Sequence, residues 1–123
     1  MPRILVIDDD EQVRLLLRQM LELEGYSVTE AADGRVGMAS WREEPADLLL
    51  TDILMPEQDG IETIREVRQG WPDAKIIAFT GGGKKGMNFL PTAQKLGAQR
   101  TLEKPLDRQT LLAAVREVLL GLN

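Results

Sequence analysis

The sequence predicts a doubly wound α/β domain, in which helices cover both faces of a parallel sheet. Short apolar runs alternate with helical periodicity along the whole 123-residue chain. The runs at 4–7 and 48–50 are apolar at every position, which is typical of strands buried on both faces of a parallel sheet. Turn residues separate the runs from the helical segments, so we expect five successive β–α units.

Three of these units occupy the first part of the chain. Strands are expected at 4–7, 27–31 and 47–52, and the second helix is expected over 34–43, where Pro45 stops it. The helix after the first strand should end at Gly25 in a left-handed conformation. Its buried face is predicted from apolar residues at helical spacing: Val13, Leu16, Leu17, Met20 and Leu21.

The remaining elements follow the strand that ends at Asp52. A helix is expected over about 60–70, with Ile61, Ile64 and Val67 inward, then a strand from 75 to 80. The segment 81–86 contains four glycines in six residues and is expected to be flexible. A short helix near 88–96 and a strand around 99–102 come next. The final helix carries its apolar residues on one face: Leu111, Leu112, Val115, Val118, Leu119 and Leu122.

Composition excludes several classes of function. The chain has neither cysteine nor histidine, so it offers no thiolate metal site and no imidazole as base, ligand or phosphoryl carrier. Its net charge of −5 argues against direct binding of nucleic acid. No run approaches the roughly 18 apolar residues of a membrane span, and the first strand begins too early for a signal peptide. We therefore expect one cytoplasmic domain that binds neither nucleic acid nor membrane.

Acidic residues follow two of the predicted strands. Asp8 and Asp9 come directly after the first strand, and Asp52 is the last residue of the strand expected at 47–52. The carboxyl ends of parallel strands meet at one edge of the sheet, so these carboxylates should lie close together and repel each other unless a cation joins them. Mg²⁺ suits such hard oxygen ligands. We expect Asp9 and Asp52 as direct ligands, Asp8 as a weaker or water-mediated one, and a backbone carbonyl just past Asp52 as another.

A phosphoryl group is the ligand that best fits the remaining polar residues at these strand ends. With Mg²⁺ present, Asp52 can attack phosphorus to give an acyl phosphate. Lys104, held at an extended strand exit by the following proline, would neutralise charge on the phosphoryl oxygens. Thr80 would donate a hydroxyl to the same group, and Gly81 beside it leaves steric room.

Each of these residues also has a purely structural interpretation. Asp8 and Asp9, taken alone, are as consistent with helix capping as with metal binding, and Asp10 is expected to be an N-cap. Thr80 alone is more often an ordinary strand-end residue, and Lys104 alone is more often a solvated lysine. Their joint occurrence at four successive strand ends favours the functional interpretation.

Four segments together resemble the receiver domain of bacterial two-component response regulators. They are Ile4-Leu5-Val6-Ile7-Asp8-Asp9-Asp10, Leu50-Thr51-Asp52 with the following residues to Gly60, Phe79-Thr80-Gly81 and Glu103-Lys104-Pro105. The resemblance covers the entire chain in order. It implies a single receiver domain over 1–123, with a flavodoxin-like fold and strand order 2-1-3-4-5.

The resemblance also implies roles for particular residues. Asp52 would accept a phosphoryl group from a histidine kinase or a histidine phosphotransfer protein, and Thr80 and Lys104 would bind that group. Mg²⁺ would be held by Asp8, Asp9, Asp52 and the backbone carbonyl of Leu54. The domain would not be an enzyme, except that it would catalyse its own phosphorylation and dephosphorylation. It would pass the signal to a downstream protein or output domain through a face made by the fourth helix, fifth strand and fifth helix.

Details of the lysine segment follow from the same resemblance. The Lys104-Pro105 peptide bond is expected to be cis, because the lysine must turn back toward Asp52 while the chain enters the last helix. Thr101 stands where the family usually has an aromatic residue that turns inward on phosphorylation. We therefore expect phosphorylation to order the segment 81–86 and the start of the fourth helix rather than to bury a side chain at position 101.

Two other classes of function stay open. Asp8-Asp9-Asp10 after a first strand also resembles the haloacid-dehalogenase phosphatases, in which Asp8 would be the nucleophile, although the chain is short for that family and shows no cap domain. The other class is a receiver-like interaction module that is never phosphorylated. The complete set of acids, threonine and lysine argues against it, whereas the missing aromatic residue keeps it open.

Overall fold

The computed structural model describes residues 1–53, 60–80 and 90–121 of the chain. Residues 54–59, the glycine-rich segment 81–86 and Leu122 lie outside the described residues. Strands and helices alternate along the described part. They are β1 (Arg3–Ile7), α1 (Glu11–Leu23), β2 (Ser27–Ala31), α2 (Gly34–Glu43), β3 (Leu48–Asp52), α3 (Gly60–Gly70), β4 (Ile76–Thr80), α4 (Leu90–Lys95), β5 (Arg100–Glu103) and α5 (Arg108–Leu119).

The strands form one parallel sheet in the order β2-β1-β3-β4-β5, which confirms the predicted fold class and strand order. Ile7 pairs with Thr51 across β1 and β3, and Asp52 pairs with Phe79 across β3 and β4. Thr80 at the end of β4 pairs with Glu103, the residue before Lys104. The register therefore brings the ends of β1, β3, β4 and β5 to one edge of the sheet.

The hydrophobic core has two layers because successive strand residues point to opposite faces of the sheet. On one face Ile4 and Val6 pack in a cluster with residues of α1 and α5, such as Leu17 and Val115. On the other face Leu5 and Ile7 belong to a cluster with residues of α2, α3 and α4: Met38, Trp41, Ile64, Val67 and Ala93. Both faces are thus covered by helices, as the uniformly apolar strands predicted.

Local sequence signals fix several helix ends. Asp10, Asp33 and Asp107 each accept hydrogen bonds from backbone N–H groups of the following turn and cap α1, α2 and α5. Such a cap is worth about 1 kcal/mol, and the prediction that Asp10 is an N-cap is confirmed. Gly25 follows α1 with φ +92°, so the predicted left-handed helix end is confirmed as well.

The predicted apolar face of α1 is wrong for Leu16, whose side chain is 52% exposed. Leu17, Met20 and Leu21 are buried against the sheet, whereas Leu16 lies one position round the helix, beyond the arc that the sheet covers. Periodicity counted Leu16 as inward because positions i, i+3, i+4, i+7 and i+8 span a wider stripe than a single packing surface buries. Residues 99–102 were predicted as a strand, and β5 runs one residue later, from Arg100 to Glu103.

Candidate functional site

The predicted acids lie together at the carboxyl edge of the sheet. Asp8, Asp9 and Asp52 each offer a carboxylate oxygen, and these oxygens lie within 4.8 Å of one another. Asp8 is fully buried, Asp52 is 5% exposed and Asp9 is exposed. β1 and β3 are neighbours in the sheet, which explains why the residues at their ends meet. Leu54, whose carbonyl was predicted as a further ligand, lies outside the described residues.

Lys104 reaches two of these acids from the end of β5. Its Nζ lies 2.8 Å from Oδ2 of Asp8 and 3.2 Å from Oδ2 of Asp52. The ammonium also lies 5.2 Å from the centre of the Phe79 ring. The Lys104-Pro105 bond is cis, as predicted. The structure therefore brings Lys104 into the acid cluster rather than leaving it solvated.

Burial and charge act in opposite directions on these groups. Burial raises the pKa of Asp8 above its ordinary value, and the nearby Lys104 ammonium offsets only part of that rise. Burial alone would lower the pKa of Lys104, but the carboxylates of Asp8 and Asp52 outweigh it and leave that pKa above its ordinary value. The lysine is therefore held as a cation against two carboxylates at neutral pH.

Thr80 is fully buried at the end of β4, the strand next to Asp52. Its Oγ1 has no hydrogen-bond partner among the residues that the structure describes. A buried hydroxyl without a partner costs about 1–3 kcal/mol, so such a group calls for an explanation. A ligand oxygen at the carboxyl edge of the sheet would supply the acceptor.

Sequence reasoning missed two residues that hold the acids in place. Arg14 of α1 donates a hydrogen bond from Nη1 to the carbonyl oxygen of Asp8 at 2.7 Å. Gly60 begins α3 against the end of β3, and a Cβ at this position would overlap the carbonyl oxygen of Asp52 and lie 2.6 Å from Cα of Ile53. An arginine on a polar helix face gives no sequence signal of such a contact, and Gly60 was recognised only as the start of the helix expected over about 60–70.

The acid cluster fits a divalent cation of the hard type. Its three carboxylates are all oxygen donors and lie close enough to share one ion. Lys104 compensates part of their charge, which leaves the group of four side chains with a net negative charge at neutral pH. Among the described residues, this is the one group of at least three acids close enough to share an ion.

An apolar groove opens beside Lys104. It has a volume of about 360 Å³ and is lined by Val13, Leu16, Leu17, Lys104, Pro105 and Leu106. The groove accounts for the exposure of Leu16, which faces this opening rather than the sheet. A larger cavity of about 620 Å³ lies at the opposite edge of the sheet, next to the residues where the strands begin.

Comparison with known proteins identifies the family. The family model described as the response regulator receiver domain matches residues 4–116. The chain therefore belongs to the response regulator receiver family, the class of regulators of two-component signalling. This membership leaves the phosphatase alternative without support.

The similar proteins include both short and longer regulators. The response regulator receiver protein CpdR of Brucella abortus is 38% identical over 98% of this chain and 99% of its own length. The transcriptional regulatory protein CpxR of Klebsiella pneumoniae is 36% identical over 97% of this chain, which spans 50% of the length of CpxR. The chemotaxis protein CheY of Thermotoga maritima is 33% identical over 94% of this chain and 96% of its own length.

Solved structures agree with the family assignment. A response regulator receiver domain protein from Clostridium thermocellum superposes with a TM-score of 0.91 at 29% identity, covering 98% of this chain and 96% of that one. The response regulator TrrA of Thermotoga maritima, solved in complex with Mg(2+)-BeF, gives a TM-score of 0.86 at 31% identity over 96% of this chain and 99% of its own. Within the described ranges, no helix has the length and apolar character needed to cross a membrane.

Proposed function

We propose that residues 1–123 form a phosphoacceptor receiver domain that takes a phosphoryl group onto Asp52 from a phosphorylated histidine of a partner protein. The observation that supports this proposal most strongly is the set of side chains at one edge of the sheet. There the Asp52 carboxylate lies within 4.8 Å of oxygens of Asp8 and Asp9 and 3.2 Å from the Lys104 ammonium. The buried hydroxyl of Thr80, which has no hydrogen-bond partner among the described residues, lies at the end of the neighbouring strand. The acids supply a cation site, and the lysine and threonine supply two donors for a tetrahedral anion.

The proposed reaction is an in-line displacement at phosphorus. A carboxylate oxygen of Asp52 forms the new O–P bond as the P–N bond to the donor imidazole breaks, and the imidazole leaves with the electron pair of that bond. Lys104 then donates to a phosphoryl oxygen, and Thr80 donates its hydroxyl to another. Bound Mg²⁺, held by Asp8, Asp9, Asp52 and the Leu54 carbonyl, would neutralise charge on the phosphoryl oxygens.

Residues 1–123 contain no histidine, so the donor imidazole lies outside this domain. We propose a histidine kinase or a histidine phosphotransfer protein in the cytoplasm. Its contact with this domain would include the apolar groove beside Lys104, since that groove places exposed Leu16 next to the residues that hold Asp52. An apolar helix face on the donor would fill it while the histidine reaches Asp52.

The proposed output is a change at the surface formed by α4, β5 and α5, which binds a downstream protein or output domain. Arg100 of β5 forms an ion pair with Glu117 of α5 on this surface. Thr101 is half-buried and pairs with Ala78 in the sheet, so the position of the usual aromatic switch carries only a short side chain. We therefore propose that the signal passes through Thr80 and the segment that follows it rather than through position 101.

Intact-mass measurement after incubation with a small phosphodonor and Mg²⁺ tests the proposed acceptor. The wild-type chain should gain one phosphoryl group, and Asp52→Asn should gain none. Asp47→Asn is the matched control, because Asp47 lies exposed immediately before the same strand, at the opposite edge of the sheet, and this variant should behave as wild type. No adduct on the wild-type chain would favour the interaction module. An adduct that persists in Asp52→Asn would show that another residue is the acceptor.

A further inference from the structure

Arg14 of α1 links Asp8, the residue directly after β1, to Glu30 of β2. Its guanidinium donates from Nη1 to the carbonyl oxygen of Asp8 at 2.7 Å and from Nε to Oε1 of Glu30 at 3.1 Å. The side chain is only 15% exposed, so both contacts are largely shielded from water. Because the guanidinium is planar and rigid, the bond to Glu30 of β2 fixes the direction of the bond to Asp8.

The carbonyl that Arg14 holds belongs to the peptide bond between Asp8 and Asp9. The orientation of this peptide plane sets the directions in which the side chains of both acids leave the backbone. The N–H of Asp8 donates to the carbonyl oxygen of Ala31 at 3.1 Å, so β2 restrains the other side of Asp8. The N–H of Asp10 donates to Oδ1 of Asp8 at 2.8 Å. The hydrogen bond from Arg14 is a third restraint on the backbone that carries the two acids.

The positive charge of Arg14 is compensated locally. Glu30 also accepts from Nη1 of Arg18 at 2.7 Å, and Arg18 pairs in turn with Glu22 at 3.1 Å. Two arginines and two glutamates therefore form a neutral group next to the acids. The effect of Arg14 on a cation at the cluster should consequently come from geometry rather than from charge repulsion.

We propose that Arg14 is a positioning residue for the cation site: it fixes the Asp8-Asp9 peptide so that both carboxylates point to one ion. The inference deepens the proposed function and rests on it for the assignment of Mg²⁺ as the ion. Hydrogen-bonded partners of metal ligands typically change metal affinity by about 10–100-fold when they are removed. Arg14 acts through a backbone carbonyl rather than a side chain, so we expect a change of about tenfold.

Isothermal titration of the full chain with MgCl₂ tests this proposal directly. Arg14→Gln should raise the Kd for Mg²⁺ about tenfold. Arg18→Gln is the matched control, because it removes the same charge from the same Glu30 without touching Asp8, and its Kd should equal that of wild type. Arg14→Lys keeps the charge but offers a single donor group, so its Kd should lie between wild type and Arg14→Gln. It also serves as the test variant if Arg14→Gln does not fold, which urea unfolding of each variant would reveal.

Phosphorylation by a small donor gives a second readout. In Arg14→Gln the Mg²⁺ concentration for half-maximal rate should rise by the same factor as the Kd, while the rate at saturating Mg²⁺ should match wild type. Equal Kd values for Arg14→Gln and Arg18→Gln would overturn the proposal. Tighter Mg²⁺ binding by Arg14→Gln would also overturn it, because it would show that Arg14 affects Mg²⁺ affinity through charge rather than through geometry. Absence of Mg²⁺ binding by the wild-type chain would overturn it as well. Normal Mg²⁺ binding without any phosphoryl adduct on wild type would instead refute the proposed function and leave the role of Arg14 standing.

Discussion

Replacing Lys104 with methionine should destabilise the protein and make its stability strongly dependent on Mg²⁺. Methionine keeps most of the length and apolar character of the lysine side chain but removes the ammonium. That ammonium lies 2.8 Å from Asp8 and 3.2 Å from Asp52, and Asp8 is fully buried. Without it, the acid cluster loses its compensating charge.

The size of the effect follows from the burial of the two partners. Removing one member of a buried ion pair costs about 3–5 kcal/mol, because a buried charge is left uncompensated. The Lys104 side chain is 20% exposed, so water screens part of the interaction, and we take the lower end, about 3 kcal/mol. For a domain of this size that corresponds to a fall in Tm of about 10 °C at neutral pH.

Thermal unfolding of both proteins with and without Mg²⁺ measures this effect. A ligand that binds only the folded state at 100 times its Kd stabilises by about 2.7 kcal/mol. Mg²⁺ should bind the variant more tightly than wild type, because a neighbouring positive charge has been removed. The gain in Tm with Mg²⁺ should therefore be larger in Lys104→Met than in wild type.

Lys75→Met provides the control for this experiment. Lys75 donates to the carbonyl oxygen of Leu119 at 2.8 Å, at the opposite edge of the sheet from the acids. Its replacement should lower Tm without changing the gain from Mg²⁺. Equal losses and equal Mg²⁺ gains in the two variants would refute the idea that Lys104 compensates the acid cluster.

Three further predictions concern other parts of the molecule. Gly60→Ala should lower the free energy of unfolding by about 1–3 kcal/mol and slow phosphorylation, because the added Cβ would collide with the backbone of Asp52. Gly70→Ala is the control, because its Cβ would meet open space, and it should change neither the urea unfolding nor the rate with a phosphodonor. Hydrogen bonds from the first turn of α5 lower the pKa of Asp107 below its ordinary 3.8, so the stabilisation is present above that value and lost as pH falls through the depressed pKa. Asp107→Asn should therefore flatten the decline of Tm as the pH falls through 3.8 and below; an unchanged slope would contradict this. Leu16→Ser should slow phosphoryl transfer from a protein donor and leave the rate with a small phosphodonor unchanged, and equal slowing in both assays would argue against the groove as the donor contact.

Much of the fold was predictable because short-range signals agree with the tertiary structure. The runs 4–7, 48–50 and 76–79 within β1, β3 and β4 are apolar at every position. A sheet covered by helices on both faces is the arrangement that buries such strands. The caps Asp10 and Gly25 act within their own turn, so the sequence contains the whole interaction. Leu16 was mispredicted because its environment is set by Pro105 and Leu106, which are distant in sequence.

The candidate site was predictable in its members but not in its contacts. Strand ends in a parallel sheet share an edge, so the approach of Asp8, Asp9 and Asp52 followed from the fold class. That Lys104 contacts Asp8 as well as Asp52 depends on the path of its side chain over Phe79. Such a path is fixed by packing between distant segments, and the sequence carries no local pattern for it.

Locating the phosphoryl group on the chain tests the central claim most directly. The wild-type protein is incubated with a small phosphodonor and Mg²⁺, the acyl phosphate is reduced with borohydride to homoserine, and the modified peptide is sequenced by mass spectrometry. The proposed function predicts homoserine at position 52 and at no other aspartate. Homoserine in place of Asp8, or an unmodified Asp52 in a chain that carries the label elsewhere, would contradict it.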